Sequence, residues 1–473
     1  MPDELYDRQT RIPGWEQRKL DQARVVVLGS GTLAQQLLVN LAGLGVTNVL
    51  LQSNGRIART KEDYFLFGFP SMESIGKPRI DFIERELLQL NENFKGRLKT
   101  FFSPFDEGDI AAFRPDAIVS AENDPAIVEH GLVYCIRHKL PFIAGSAGQH
   151  ESRFQSHHPS SRVGLDSLVR SIWCEEKQNP QTSGVLAGGM ADELRKYFMP
   201  LDESDLPSPE KLHKYSLLRT TRTEGGDTLE PIPYRDMHPF KALVVGAGAM
   251  GNSVAAQLAL AGFEQIDIID RDTIEFSNLS RQFCFRGKVG QPKAKVLSER
   301  VKEYSPSTLT NPHQRFLGAN DVVFDRGEYD ILFGAVDSLR VRKLINAYAV
   351  LHKLPYIDGG SSSLNGKMRV YFPGINRCLD CQLDFDAELA KEQNTTRQAR
   401  GCAQAAPSVI IPNFVIGSAM VGEALRFFYR KSDKEVLGSE IGANTHSLVY
   451  NSSERQRLYV NQERYEKTCG GCT

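Results

Sequence analysis

Two stretches carry the same pattern: VVVLGSGTLA at Val25–Ala34 and ALVVGAGAMG at Ala242–Gly251, 217 residues apart. Each is a short run of β-branched residues that breaks into glycines and then into small helix formers. That order reads as a buried strand, a tight turn and a helix, the opening of a βαβ unit. Three more blocks repeat in the same order. Gly76-Lys77-Pro78-Arg79 answers Gly290-Gln291-Pro292-Lys293, and HKLPFIAGSAG at His138–Gly148 answers HKLPYIDGGSS at His352–Ser362, both at an offset of 214. VLAGGMADELRKYF at Val185–Phe198 answers VIGSAMVGEALRFF at Val415–Phe428 at an offset of 230. Four ordered repeats make the chain two copies of one α/β domain.

Between the first and third repeats each copy alternates strand and helix. Strands are expected at Asn48–Gln52 and Ala117–Val119, and again at Gln265–Asp270 and Ile331–Phe333, with helices at Arg79–Leu90 and Ala294–Tyr304. This alternation predicts a mostly parallel, doubly wound (Rossmann-like) sheet in each half. Pro200–Pro239, with DESDLPSPE and TEGGDT, is polar and turn-rich and reads as a linker. Asn444–Val460 alternates like a hairpin. The expected organisation is a first domain at 1–200, a linker at 201–239, a second domain at 240–430 with a crossover loop at 382–408, and a hairpin with a metal knuckle at 431–473.

Composition bounds the function. With 473 residues, 41% hydrophobic and 24% charged, the chain is an ordinary globular one of about three domains or two large ones. Lys+Arg is 57 against 58 Asp+Glu, a net charge of -1, which gives no global case for nucleic acid or anionic membrane. The N-terminus MPDELYDRQT lacks a basic start and an apolar core, and the most apolar stretch, Val25–Leu51, is broken by polar residues and glycines. A cytoplasmic protein with neither nucleic acid nor membrane as partner is expected. Eight cysteines are too few for a disulfide scaffold of this length.

The chemistry gathers in the second copy. Gly246, Gly248 and Gly251 let backbone approach phosphates at a helix N-terminus. Asp270 follows about 20 residues on, where a carboxylate holds a ribose hydroxyl. Alone this pattern suits any nucleotide, NAD included. The next residues, DRDTIEFSNLSRQ at Asp270–Gln282 and then Lys293, add cations and further carboxylates. Hydride transfer needs no such mixture, whereas a triphosphate with magnesium does. Asp337, after the strand, is a second candidate magnesium ligand.

Those motifs (GAGAMG, DRDTIEFSNLSRQ, GQPK, GAVDS, YIDGG and paired C-x-x-C) make the second copy resemble the adenylating domain of the ubiquitin-activating enzyme superfamily. That superfamily includes the ThiF- and MoeB-like sulfur-carrier adenylyltransferases. The resemblance implies that Asp270 and Asp272 lie at the nucleotide, that Asn278, Arg281, Gln282 and Lys293 contact it, and that Asp337 binds magnesium. Ser338 departs from the family, which usually has Asn there. The first copy resembles the family in degraded form, with Ala34 for the third glycine, Ser53 and Asn54 for the aspartates, and Arg79 for the lysine. It keeps Tyr6-Asp7-Arg8-Gln9, and the resemblance implies that Arg8 reaches the ATP of the other half.

Cys378-x-x-Cys381 and Cys469-x-x-Cys472 can each present two thiolates, together a tetrahedral zinc site, with a redox pair as the rival reading; the resemblance favours zinc. Cys402 stands in RQARGCAQAAP at Arg397–Pro407, beside two arginines that favour its thiolate. The resemblance makes it the acyl acceptor. The whole implies activation of a ubiquitin-like protein through its C-terminal glycine, with ATP, Mg2+ and Zn2+, and transfer to a conjugating enzyme. No large domain interrupts the chain near Cys402 and no ubiquitin-like domain follows Cys472, so a compact, prokaryotic-type form is expected. The rival readings are a sulfur-carrier adenylyltransferase, a non-catalytic scaffold that binds a ubiquitin-like protein and, most distantly, an NAD oxidoreductase.

Overall fold

The computed structural model describes residues 2–58, 66, 68, 70–160, 172, 174, 178–209, 211–217, 237–315, 317, 328–398, 406–430, 446–462 and 469–472. In the first half, β1 (Arg24–Leu28) leads through glycines into helix α1 (Thr32–Leu44) and β2 (Asn48–Gln52). Then come α2 (Arg79–Leu90), β3 (Lys99–Phe101), β4 (Ala117–Ser120), α3 (Pro125–His138), β5 (Phe142–Ala147), β6 (Glu151–His157), α4 (Pro180–Phe198) and β7 (His213–Ser216). The second half repeats the plan with β8 (Lys241–Val245), α5 (Ala249–Ala261), β9 (Gln265–Ile269), α6 (Lys293–Tyr304), β10 (Pro312–His313) and β11 (Ile331–Gly334). It continues with α7 (Leu339–His352), β12 (Tyr356–Ser362), β13 (Asn365–Tyr371), α8 (Ile410–Arg430), β14 (His446–Asn451) and β15 (Leu458–Gln462).

The strand orders are β3-β2-β1-β4-β5-β6-β7 and β10-β9-β8-β11-β12-β13-β14-β15. In each sheet the first five strands are parallel and the later ones antiparallel. Two corrections follow for the expected boundaries. The stretch read as linker contains β7, which pairs with β6 through Glu151–Ser216 and Phe154–His213, so the first domain runs beyond residue 200. The terminal hairpin is no separate unit, because β14 pairs with β13 and lengthens the second sheet.

One apolar core runs through both halves. It takes in Leu37, Leu41, Leu186 and Met190 from the first and Val254, Leu258, Ile411 and Val415 from the second. The halves meet along α1, α4, α5 and α8. Gly184 and Gly188 let α4 close on α8, since a Cβ at either would strike Ser418 or Val415. A polar lattice is sealed in this seam: Gln257 Nε2 donates to Gln36 Oε1 at 2.9 Å and to Ser418 Oγ at 3.1 Å, and Gln181 Nε2 donates to the Gln257 carbonyl at 3.0 Å. Buried amides must find partners, so the lattice fixes one register of the halves. The buried pair Arg286–Glu86, 3.0 Å, adds a charged link. Helix α8 is the one described helix long and apolar enough to cross a membrane, and it is buried in this seam.

Candidate functional site

The glycine loop of the second half joins β8 to α5. Gly246 has φ +100°, and a Cβ there would press on the Ala335 carbonyl, so the sharp turn requires glycine. Among the described residues a Cβ at Gly248 would meet nothing within 4 Å, so they leave open space over this turn. Gly251 packs directly on the Gly246 carbonyl. Asn252 ties the loop down from α5, donating to Ala247 O at 3.0 Å and Gly248 O at 2.9 Å and accepting from Cys284 N–H at 3.0 Å. Sequence reasoning passed over Asn252, although its place one residue after the third glycine was a usable signal.

Side chains collect around this opening. Asp270 accepts the Ala247 N–H at 2.6 Å and the Asp272 N–H at 2.8 Å. Burial pushes its carboxyl up, against those N–H donors and Lys293. Lys293, the first residue of α6, reaches Asp272 at 3.3 Å. Asn278 closes a reciprocal cap with Glu275, accepting its N–H at 3.1 Å. Arg281 is buried and donates to Ser277 O at 2.7 Å. Gln282 is buried too, its Oε1 without a hydrogen-bond partner among the described residues. Asp337 stands exposed on the loop after β11, a hard oxygen donor of the kind magnesium prefers.

Arg8 arrives from the first half. Its Nε donates to Ala406 O at 2.8 Å, and its own carbonyl accepts from Ser408 N–H at 3.1 Å. Burial and then the charge of Arg8 push Arg281 down to about 10, while Asp337 and Glu275 pull the other way. The N-terminal segment thus brings Arg8 within electrostatic reach of Arg281, which Asp337 also reaches. Two cations facing a carboxylate beside an open glycine turn make a receptor for a polyanion. Pro407 and Ser408 are anchored from a second side by Ser363. Cys402 itself lies outside the described residues, as does Arg400.

The matching turn of the first half is filled by the protein's own side chains. A Cβ at Gly31 would lie 2.8 Å from Gln178 Oε1, and that oxygen accepts the Leu33 N–H at the start of α1, 3.1 Å away. A Cβ at Gly29 would lie 3.0 Å from the Glu122 side chain. Burial pushes the Glu122 carboxyl up, and Arg79 and the Ser30 N–H draw it back. The position equivalent to Asp337 is Asn123, which is spent on strand β5: it donates to Ala147 O at 3.1 Å and accepts from Ser146 Oγ at 2.9 Å. An amide oxygen and a carboxylate therefore stand where an anion would meet the helix N-terminus.

Four cysteines converge away from this site. Adjacent sulfurs lie 3.7 Å apart for Cys378–Cys381, 3.6 Å for Cys378–Cys469, 3.7 Å for Cys381–Cys472 and 3.3 Å for Cys469–Cys472. A tetrahedral thiolate site with bonds of about 2.3 Å places sulfurs about 3.8 Å apart, so the donor set fits. Cys381 Sγ also accepts the Cys469 N–H at 3.2 Å, the outer-layer bond such sites use to orient a ligand. The knuckle rests on α7, with Gly471 against Val350. The group could hold a metal ion. Cys135, Cys174 and Cys284 are buried free thiols elsewhere.

Comparison with known proteins agrees with the duplication. The ThiF family profile matches residues 6–226 and again residues 226–470. A NEDD8-activating enzyme E1 catalytic subunit of Schizosaccharomyces pombe is 35% identical over 151 residues, 31% of this chain and 34% of that protein. The Dictyostelium discoideum protein of the same name is 35% identical over 184 residues, 35% of this chain and 41% of that protein. The chain thus spans well under half the length of these relatives. A crystal structure of E. coli MccB with ATP superposes with TM-score 0.40 at 22% identity, over 50% of this chain and 68% of that one.

Proposed function

The chain belongs to the ThiF family, and on that premise we propose that it activates a ubiquitin-like protein. The observation that carries this reading is the contrast between the two glycine turns. One is open and ringed by Arg281, Lys293, Asp337 and the incoming Arg8; the other is closed by Gln178 and Glu122. In the first step a C-terminal glycine carboxylate oxygen attacks the α-phosphorus of ATP. The bond to the β-phosphoryl oxygen breaks, and pyrophosphate leaves. Arg8, Arg281 and Lys293 neutralise the charge that develops on the phosphoryl oxygens, Asp270 holds the ribose, and Asn278 and Gln282 line the nucleotide. Asp337 would hold a magnesium ion, which would supply further neutralisation of the phosphates. In the second step the Cys402 thiolate attacks the acyl carbon and AMP leaves, giving a thioester for transfer to a conjugating enzyme.

Zinc in the four-cysteine knuckle is structural in this reading, since four thiolates leave no open position. A reducing, cytoplasmic setting suits the buried free thiols of Cys135, Cys174 and Cys284. The expected partition is an adenylating second half and a first half that contributes only Arg8.

The test is a covalent trap. With ATP and a ubiquitin-fold protein ending in glycine, the wild type should form an adduct that added thiol cleaves. Cys402→Ala should lose it. A Cys402→Ala protein that still passes its carrier to a downstream cysteine would replace thioester transfer with hand-off from the adenylate, as in sulfur-carrier activation.

A further inference from the structure

The loop that presents Asp337 is held from behind by an ion pair between the half-buried Arg342 and the buried Asp358. Arg342, on α7, donates from Nε to the Val336 carbonyl at 2.9 Å, from Nη1 to Asp358 Oδ2 at 2.9 Å and from Nη2 to the Gly359 carbonyl at 3.1 Å. The Tyr356 hydroxyl donates to the other Asp358 oxygen at 2.8 Å. Two glycines make room: a Cβ at Gly360 would lie 2.8 Å from Arg342 Nη2, and one at Gly334 would lie 2.7 Å from Asp358 Oδ1. Asp358 is 2% exposed.

Such a pair is not an economical way to hold a fold together. Desolvating both ions roughly cancels their attraction, and apolar residues of similar volume are often as stable or more so. The first half demonstrates that alternative. At the same offset of 214, Arg342, Tyr356 and Asp358 correspond to Val128, Phe142 and Ala144. All three belong to an apolar cluster beneath the equivalent strand and helix. The same α/β framework is therefore built twice, once with the pair and once without. The pair occurs in the half whose glycine turn is open and whose loop carries an aspartate, where the other has Asn123.

We propose that Arg342, seated by Asp358 and Tyr356, is a positioning residue for Asp337. By fixing the Val336 carbonyl it sets the aim of the next residue's carboxylate toward the divalent cation of the bound nucleotide. The proposal rests on the magnesium reading of Asp337. It differs from a stability role in one respect: its effect is confined to magnesium.

The experiment titrates the full chain with ATP, once with excess Mg2+ and once with Mg2+ omitted, and takes the affinity ratio as the magnesium gain. Arg342→Lys keeps the charge but cannot serve three acceptors in one plane. It should shrink the gain by about tenfold, the usual scale for losing an outer-layer partner, with the affinity in the absence of Mg2+ unchanged. Asp337→Asn should lose the gain, and the double variant should match Asp337→Asn alone, since the two act through one group. If Arg342→Lys fails to fold, Arg342→Val/Tyr356→Phe/Asp358→Ala installs the first half's own residues and is read the same way. A wild-type gain in the Arg342 variant, or an equal loss with and without Mg2+, overturns the proposal and leaves the magnesium reading standing. An undiminished gain in Asp337→Asn overturns both.

Discussion

At Gly31 and Gly248 the same backbone turn meets opposite surroundings, and single residues decide which. Gln178 reaches the first turn from 145 positions away in sequence to accept the Leu33 N–H, while none of the described residues stands over the second. Arg8 crosses in the other direction, from the half with the filled turn to the half with the open one. Arg8→Ala should therefore slow carrier-dependent adenylation by about 100-fold, the scale of losing one donor at a site of developing charge. Unchanged rates at both limiting and saturating ATP would sink the contact. The residues proposed to carry charge to the open turn could be picked out in the sequence, Asp270 and Asp337 because each follows closely on a strand, and Arg281 and Lys293 through the motifs they stand in. Gln178 and Glu122 were not, because each acts from irregular backbone far from the turn it fills. Arg342 and Asp358 gave a signal only on aligning the copies, where charged residues face Val128 and Ala144.

Among the elements, α4 and the terminal hairpin are joined by charges that periodicity alone would put in solvent. Asp192, Arg195 and Lys196 lie on α4, and all are buried. Arg195 bonds Asp192 at 2.9 Å and Asp205 at 2.6 Å, while Tyr450 and Ser452 of the hairpin donate to Asp192 at 2.9 and 2.8 Å. Arg457 pairs with Glu193. Burial by itself raises the Asp192 carboxyl, but Arg195, Arg457 and Lys196 outweigh it and hold it well below the usual carboxylate range. Asp192→Asn leaves those cations short of a partner and should cost about 3–5 kcal/mol in denaturant unfolding. Because the folded pKa is depressed, the wild-type advantage is full above the unfolded carboxylate value of about 4 and is lost as pH falls from there through the folded one. An advantage that grew on acidification would contradict the assignment. The knuckle makes a second test at this scale. The purified chain should hold about one zinc by elemental analysis, and Cys469→Ser should release it and lower the melting temperature. A metal-free protein with full activity and a Cys378–Cys381 disulfide would refute the site. The hairpin's alternation was readable, but its pairing with β13 was not, since register against a distant strand leaves no local pattern.

The whole molecule is two copies of one sheet-and-helix plan fused along α1, α4, α5 and α8. The duplication was legible because four blocks recur in order, and the doubly wound class followed from the strand–helix alternation. How the copies dock was not, since the seam depends on Gln36, Gln181 and Gln257 meeting from separate helices and on Gly184 and Gly188 clearing the approach. The extent of the first domain was misjudged for a similar reason: β7 lies within a polar, turn-rich stretch and is a strand only because β6 offers it an edge. In the proposed function the halves have different duties: Arg8 of the first half serves the nucleotide of the second, and the filled turn of the first half takes no nucleotide of its own. The matched residues Lys293 and Arg79, at the same position of the two copies, test this division most directly. Pyrophosphate exchange into ATP, driven by a ubiquitin-fold protein ending in glycine, should fall at least about 100-fold in Lys293→Ala and stay near wild type in Arg79→Ala. Absence of carrier-dependent exchange in the wild type, or equal losses in the two variants, would contradict the account.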